Sequence, residues 1–231
     1  MRLGPVWKLR EPLAAAAQPA PADVEVATAS DPVAPKVVAS PAGAPPDWDA
    51  LAAEVAACRQ CGLCQARRQA VLGVGDRNAD WLFVGEGPGA EEDQRGEPFV
   101  GQAGKLLDNM LAAIGLRRGE DVYIANAVKC RPPGNRTPTA EETASCRPYL
   151  ERQIEMIRPK LIVALGRPAA QTLLRSEVSI GAARGRQFDY RGIPVVVSYH
   201  PAYLLRTPLD KARAWEDLCF MRQAMRSLKA R

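Results

Sequence analysis

Residues 81–93 read WLFVGEGPGAEED, and the fold follows from how that stretch changes character. Five residues from Trp81 are apolar or small without alternation, and a glycine- and proline-rich loop then takes over at Gly85. So short a run, apolar at successive positions and stopped by glycine, is the pattern of a strand buried on both faces. Two runs of the same kind follow, DVYIANAV at 121–128 and KLIVAL at 160–165. A fourth is the second arm of the hairpin predicted over RQFDYRGIPVVVSY at 186–199. Helical spacing fills the intervals. Residues 47–57 form one helix, and 102–115 place Leu106, Leu107, Met110, Leu111 and Ile114 on one stripe, closed by Gly115. Residues 139–158 open with Thr139 and Glu142 at capping-box spacing, and Pro148 predicts a break or kink near Cys146. A short helix at 167–175 and a last one from about Asp210 complete the pattern. Strands alternating with helices give an α/β fold: a three-layer α/β/α sandwich around a mostly parallel central sheet of about four strands.

In such sheets the ligand sits beyond the carboxyl ends of the strands. Here those ends carry GEGPGAEED (85–93), NAVKCRPPGNR (126–136) and HPAYLLR (200–206). The loops on this rim are therefore where a site is expected.

The sequence of 231 residues suits one domain plus a tail. Residues 12–46 consist mainly of Ala, Pro, Val and small polar residues, so residues 1–46 are expected to be a disordered Pro/Ala-rich N-terminal tail and 47–231 the folded domain. Val6, Trp7 and Leu9 make residues 1–11 a candidate docking peptide for a protein partner. Net charge is +5, and four basic against six acidic residues before position 51 leave +7 on the remainder. A basic globular part favours a polyanionic partner. No stretch approaches the ~20 apolar residues of a membrane span, and no signal peptide is evident, so no membrane association is expected and the protein is read as a cytoplasmic monomer.

Six cysteines in such a chain point to metal or redox chemistry more than to structural disulfides. Cys58 and Cys61 form a CxxC pair, Cys64 extends it to CRQCGLC, Cys130 follows the second strand, and Cys146 lies 16 positions later. Four thiolates suit a tetrahedral zinc or an iron–sulfur cluster. The wide final spacing lacks the second close pair usual at structural zinc sites, yet spacing alone leaves both open. Cys219, in WEDLCFMRQAM, reads as a core residue. Gly85, Gly87 and Ala90 match a relaxed dinucleotide fingerprint. However, Glu91, Glu92 and Asp93 crowd the helix start where a pyrophosphate would sit, and Pro88 removes a backbone donor. The loop better suits a neutral polar ligand. His200 is the only histidine, ends a buried strand, and lies on the same rim. The following Tyr203, Leu204, Leu205 and Arg206 are read as a loop. Their apolar and basic pairing suits a wedge into a duplex with a phosphate contact, and equally a buried helix start.

Taken together, CxxC, GEGPGAEED, GEPFVGQAG, NAVKCRPPGNR and HPAYLLR, in that order over roughly residues 51–225, resemble the family 4, iron–sulfur uracil-DNA glycosylases. The resemblance implies a monofunctional base-excision repair enzyme that flips uracil from single- or double-stranded DNA and hydrolyses its N-glycosidic bond. It makes Cys58, Cys61, Cys130 and Cys146 the ligands of a 4Fe-4S cluster. Cys64 has no counterpart, although it can replace Cys58 or Cys61 in the spacing; Cys61 has the family's distance to Gly73. The resemblance also sets Glu86 and Gly87 against uracil, Phe99 in stacking contact, Asn126 on the polar edge, and His200 at O2. Glu92 would lie near the C5 side and help position Asn126, while Asn135 would assist catalysis. Gly87 stands where another branch has a water-activating Asp, so no general base is assigned. The alternatives are a noncatalytic nucleic-acid-binding protein using the same rim, and a dinucleotide-dependent oxidoreductase, which the acidic loop disfavours.

Overall fold

The computed structural model describes residues 47–230; the tail at 1–46 and the docking peptide at 1–11 lie outside them. Six strands form one sheet: β1 (Val74–Gly75), β2 (Trp81–Gly85), β3 (Val122–Asn126), β4 (Leu161–Leu165), β5 (Gln187–Tyr190) and β6 (Ile193–Ser198). Their order is β1-β3-β2-β4-β6-β5. The inner four, β3, β2, β4 and β6, are parallel, and β1 and β5 close the two edges antiparallel. The expected four-stranded parallel core is present, and the hairpin's first arm and the two-residue β1 extend it.

Among the described residues nine helices accompany the sheet: α1 (Trp48–Ala57), α2 (Leu63–Ala66), α3 (Ala90–Arg95), α4 (Gln102–Ala113), α5 (Ala140–Ile157), α6 (Arg167–Leu174), α7 (Ile180–Ala183), α8 (Pro201–Arg206) and α9 (Lys211–Lys229). Successive residues of each inner strand point to opposite faces, which is why the strands are apolar throughout. Trp81, Phe83, Val122, Ile124, Leu161, Val163 and Val196 join one core with Leu107 and Leu111 of α4, Leu204 of α8, and Leu218 and Met221 of α9. Leu82, Val84, Tyr123, Ala125, Ile162, Ala164, Val195 and Val197 join a second with Leu150 and Ile154 of α5 and with Ala169, Ala170 and Leu173 of α6. These two cores make the three layers. A third, smaller core gathers Leu51 and Val55 of α1, Leu63, Val128, Tyr149, Cys130 and Cys146.

Two local expectations are corrected. Helix α5 runs unbroken through Pro148. The ~3 kcal/mol cost of an interior proline is outweighed by what the helix buries on either side of it: Cys146, Tyr149, Leu150, Gln153, Ile154 and Ile157. The HPAYLLR segment is not a loop. Residues 201–206 form α8, with Pro201 at its first position and His200 as N-cap. No helix among the described residues is long and apolar enough to cross a membrane.

Candidate active site

The carboxyl ends of β2, β3, β4 and β6 open into one pocket of about 810 Å³. Its lining contains Glu86, Gly87, Glu92, Phe99, Asn126, Asn135, His200, Tyr203 and Arg206, which are nine of the residues singled out from sequence.

Asn126, the last residue of β3, pairs with Gly85 across the sheet and is 2% exposed. Its Oδ1 is buried and has no hydrogen-bond partner among the described residues. An unpaired buried acceptor costs ~1–3 kcal/mol, so a site that keeps one is built for a donor from outside. Gly85 makes this geometry possible. A Cβ there would lie 2.5 Å from Asn126 Oδ1 and 2.6 Å from the Phe99 ring, so only glycine lets amide and ring close over the strand end.

Phe99 is buried yet has φ of 56°, in the left-handed region. Such a conformation persists when its surroundings over-determine it, and here they do. Glu92 Oε1 accepts from the N–H of Val100 (2.9 Å) and Gly101 (3.0 Å), and Oε2 from Gly89 N–H (3.0 Å). Arg118 takes the opposite side of the same loop, donating to the carbonyls of Pro98 (2.8 Å) and Phe99 (2.7 Å). Gly104 of α4 lets the Phe99 carbonyl approach where a Cβ would stand 1.7 Å away. Glu92 therefore fixes the Phe99 loop, and among the described residues it makes no hydrogen bond to Asn126. The crowded carboxylates of the loop are also explained: buried Asp93 accepts from Arg68 N–H at 2.8 Å.

The His200 ring lies 5.4 Å from that of Phe99, centroid to centroid. Its Nδ1 accepts from Ala202 N–H at 3.1 Å, which leaves the proton of a neutral ring on Nε2 as a donor. Desolvation, and then the Arg206 charge, push its pKa down to about 4, against an opposing pull from Glu92. By surface the residue is only half-buried, but the direction is the one the chemistry needs, a neutral donor at neutral pH. Below its unfolded value of about 6.5 the unfolded chain binds a proton at His200 that the folded chain refuses until about pH 4. Stability contributed here is therefore lost as pH falls from 6.5 toward 4. His200→Gln should show a shallower fall of melting temperature across that window; an unchanged slope would show that the ring titrates normally.

Asn135 sits at the rim, exposed, with φ of 54°, and its Oδ1 accepts from Arg131 Nε at 2.7 Å. The four wedge candidates separate. Tyr203 and Leu205 are exposed, at 36% and 43%, and Arg206 lines the pocket. Leu204 is 1% exposed within the core, because neighbouring residues of a helix face different sides, and it is withdrawn as a wedge. Sequence reading missed Tyr199, Gly166, Arg167 and Ile180, which also line the pocket. Tyr199 adjoins HPAYLLR, Gly166 and Arg167 follow β4, and Ile180 opens α7; nothing in residue type alone distinguishes them.

A second, small recess is lined by Cys58, Cys61, Cys64, Cys130 and Cys146, together with Arg67, Lys129 and Tyr149. All five thiols are free. Among the described residues no three His, Cys, Asp or Glu side chains group closely enough for a single metal ion. The sulfurs nevertheless have donors that suit thiolates: Arg67 Nη1 reaches Cys130 Sγ at 2.8 Å, and Lys129 N–H reaches Cys146 Sγ at 3.1 Å. This donor set, one guanidinium and one backbone N–H on sulfur beside several soft ligands, fits an anionic thiolate-held group. Cys64 shares the recess, so proximity does not separate it from Cys58 and Cys61.

A family model described as uracil DNA glycosylase superfamily matches residues 72–219. Among curated proteins the chain is 48% identical to a type-4 uracil-DNA glycosylase of Archaeoglobus fulgidus, over 69% of this chain and 84% of that one. A type-4 uracil-DNA glycosylase of Thermotoga maritima is 49% identical over 68% and 82%. One from Saccharolobus solfataricus is 44% identical over 78% and 87%.

Proposed function

The chain belongs to the uracil-DNA glycosylase superfamily and excises uracil from DNA as a hydrolase of N-glycosyl bonds, and we propose that it does so with Asn126, Phe99 and His200 around a flipped base. The observation that carries this reading is the partnerless Oδ1 of Asn126, buried beside the Phe99 ring. Uracil offers a donor at N3 and acceptors at O2 and O4, whereas cytosine has no N3 proton. Asn126 Oδ1 accepts from N3–H, and a base lacking that donor leaves it unpaired and desolvated, which is the stronger kind of discrimination. Phe99 supplies a stacking face worth ~1–3 kcal/mol. As the glycosidic bond breaks, electrons flow into the base, and His200 Nε2–H donates to the oxyanion forming at O2. The sugar cation is taken by water. Glu86 and Gly87 wall the base, and Asn135 at the rim assists. Tyr203, Leu205 and Arg206 meet the duplex, with arginine on phosphate.

Cys58, Cys61, Cys130 and Cys146 would hold a 4Fe-4S cluster, which supplies a structural tie between the segment after α1, the loop after β3, and α5. Among the described residues no lysine lines the pocket. Lys129 Nζ is turned away to Asn126 O (2.9 Å) and Gln153 Oε1 (2.5 Å), so no Schiff base forms and the abasic strand is left intact.

Incubation with a uracil-containing oligonucleotide should release free uracil and give strand scission only after alkali. Binding without uracil release would favour the noncatalytic reading, and scission without alkali would overturn monofunctional hydrolysis.

A further inference from the structure

Lys129 is 1% exposed, and its charge is not spent on any carboxylate. A buried ammonium is expensive unless fully engaged. Its engagements are specific. Nζ donates to the backbone carbonyl of Asn126 and to Gln153 Oε1. Gln153 in turn donates through Nε2 to Leu72 O (3.0 Å) and Tyr123 OH (3.2 Å). The Lys129 main chain is held as well: its N–H goes to Cys146 Sγ, and its carbonyl accepts from Val71 N–H at 2.8 Å. A single residue thus bonds the peptide that carries Asn126 on one side and a sulfur of the cysteine recess on the other. The pairing with β2 continues past Asn126 through Ala127 N–H to Gly85 O (2.9 Å) and Val128 N–H to Glu86 O (3.1 Å), which holds one side of the Asn126–Ala127 peptide, and the Lys129 ammonium takes the carbonyl on its other side.

We propose that Lys129 is a positioning residue for base recognition: its ammonium holds the Asn126 peptide so that Oδ1 faces the pocket, and it couples that orientation to the cysteine recess. This rests on the reading of Asn126 as the group that binds uracil N3–H.

The test compares Lys129→Met, Asn126→Ala and Ile154→Ala in protein purified with its native metal content. Ile154→Ala is a control that loosens α5 without touching Lys129. Three quantities are measured: melting temperature, affinity for uracil-free DNA, and affinity for free uracil by titration calorimetry. Lys129→Met should weaken free-uracil binding about tenfold, the scale of one lost charge-assisted hydrogen bond, with DNA affinity unchanged. Ile154→Ala should lower the melting temperature and leave uracil affinity within twofold. Should Lys129→Met not fold, the double variant Lys129→Met/Gln153→Met, which leaves no glutamine oxygen unpaired, carries the same comparison. Unchanged uracil affinity in Lys129→Met or the double variant, with a loss in Asn126→Ala, overturns the positioning role alone. No loss in Asn126→Ala overturns the reading beneath it.

Discussion

His200→Ala is expected to lower the single-turnover rate of uracil release by about two to three orders of magnitude, or ~3–4 kcal/mol, with affinity for uracil-free DNA hardly changed. The geometry makes the loss kinetic. Nδ1 is occupied by Ala202 N–H, so Nε2 is the donor, and the pKa near 4 keeps the ring neutral. A neutral N–H gains most when its acceptor becomes an anion, which happens only as the glycosidic bond breaks. DNA affinity comes from phosphate contacts by arginine and lysine and is untouched. A merely structural histidine behaves otherwise, because its loss lowers melting temperature and DNA binding together. Full cleavage by a well-folded His200→Ala protein would remove the residue from the mechanism.

Cys130→Ser and Cys146→Ser are expected to give colourless, poorly folded protein, without absorbance near ~400 nm. Structural zinc contributes ~10–16 kcal/mol of folding energy in small peptides, and a cluster held by four thiolates would likewise supply folding energy on the scale of a domain's total stability of ~5–15 kcal/mol. Both side chains are buried in the third core beside α1, so the segment carrying Cys58 and Cys61 loses its anchor. Cys219, half-buried on α9 and outside the recess, is expected to tolerate serine with colour and activity intact. Cys64→Ser should be mild, and loss of iron there would reassign the ligands. Stoichiometric zinc without iron in anaerobically purified protein would sink the cluster.

The parallel core could be read because strands buried on both faces are apolar at successive positions, as in Trp81–Gly85 and Leu161–Leu165. The edge strand β1 could not, since two half-buried residues carry no pattern. At HPAYLLR a loop wedge and a buried helix start were evenly matched in sequence because six residues are too few for a periodicity; the signal for the helix was Pro201 one position after His200, and the helix puts Leu204 in the core. The motif residues converge on the pocket, but what holds them does not show in residue type. Glu92 clamping the Phe99 loop, Arg118 on its other side, and Gln153 beneath Lys129 are partnerships between distant segments that only folding brings together.

The clamp on the Phe99 loop has a consequence for search. An enzyme hunting rare lesions meets vastly more normal bases than targets, and whatever rearrangement it needs for each inspection is repeated every time. Here the left-handed backbone at Phe99 is set once, during folding, by a carboxylate on its N–H groups and a guanidinium on its carbonyls. The pocket behaves as a gauge that is already calibrated. Entry of a base then calls for no remaking of the hydrogen bonds that hold the Phe99 loop.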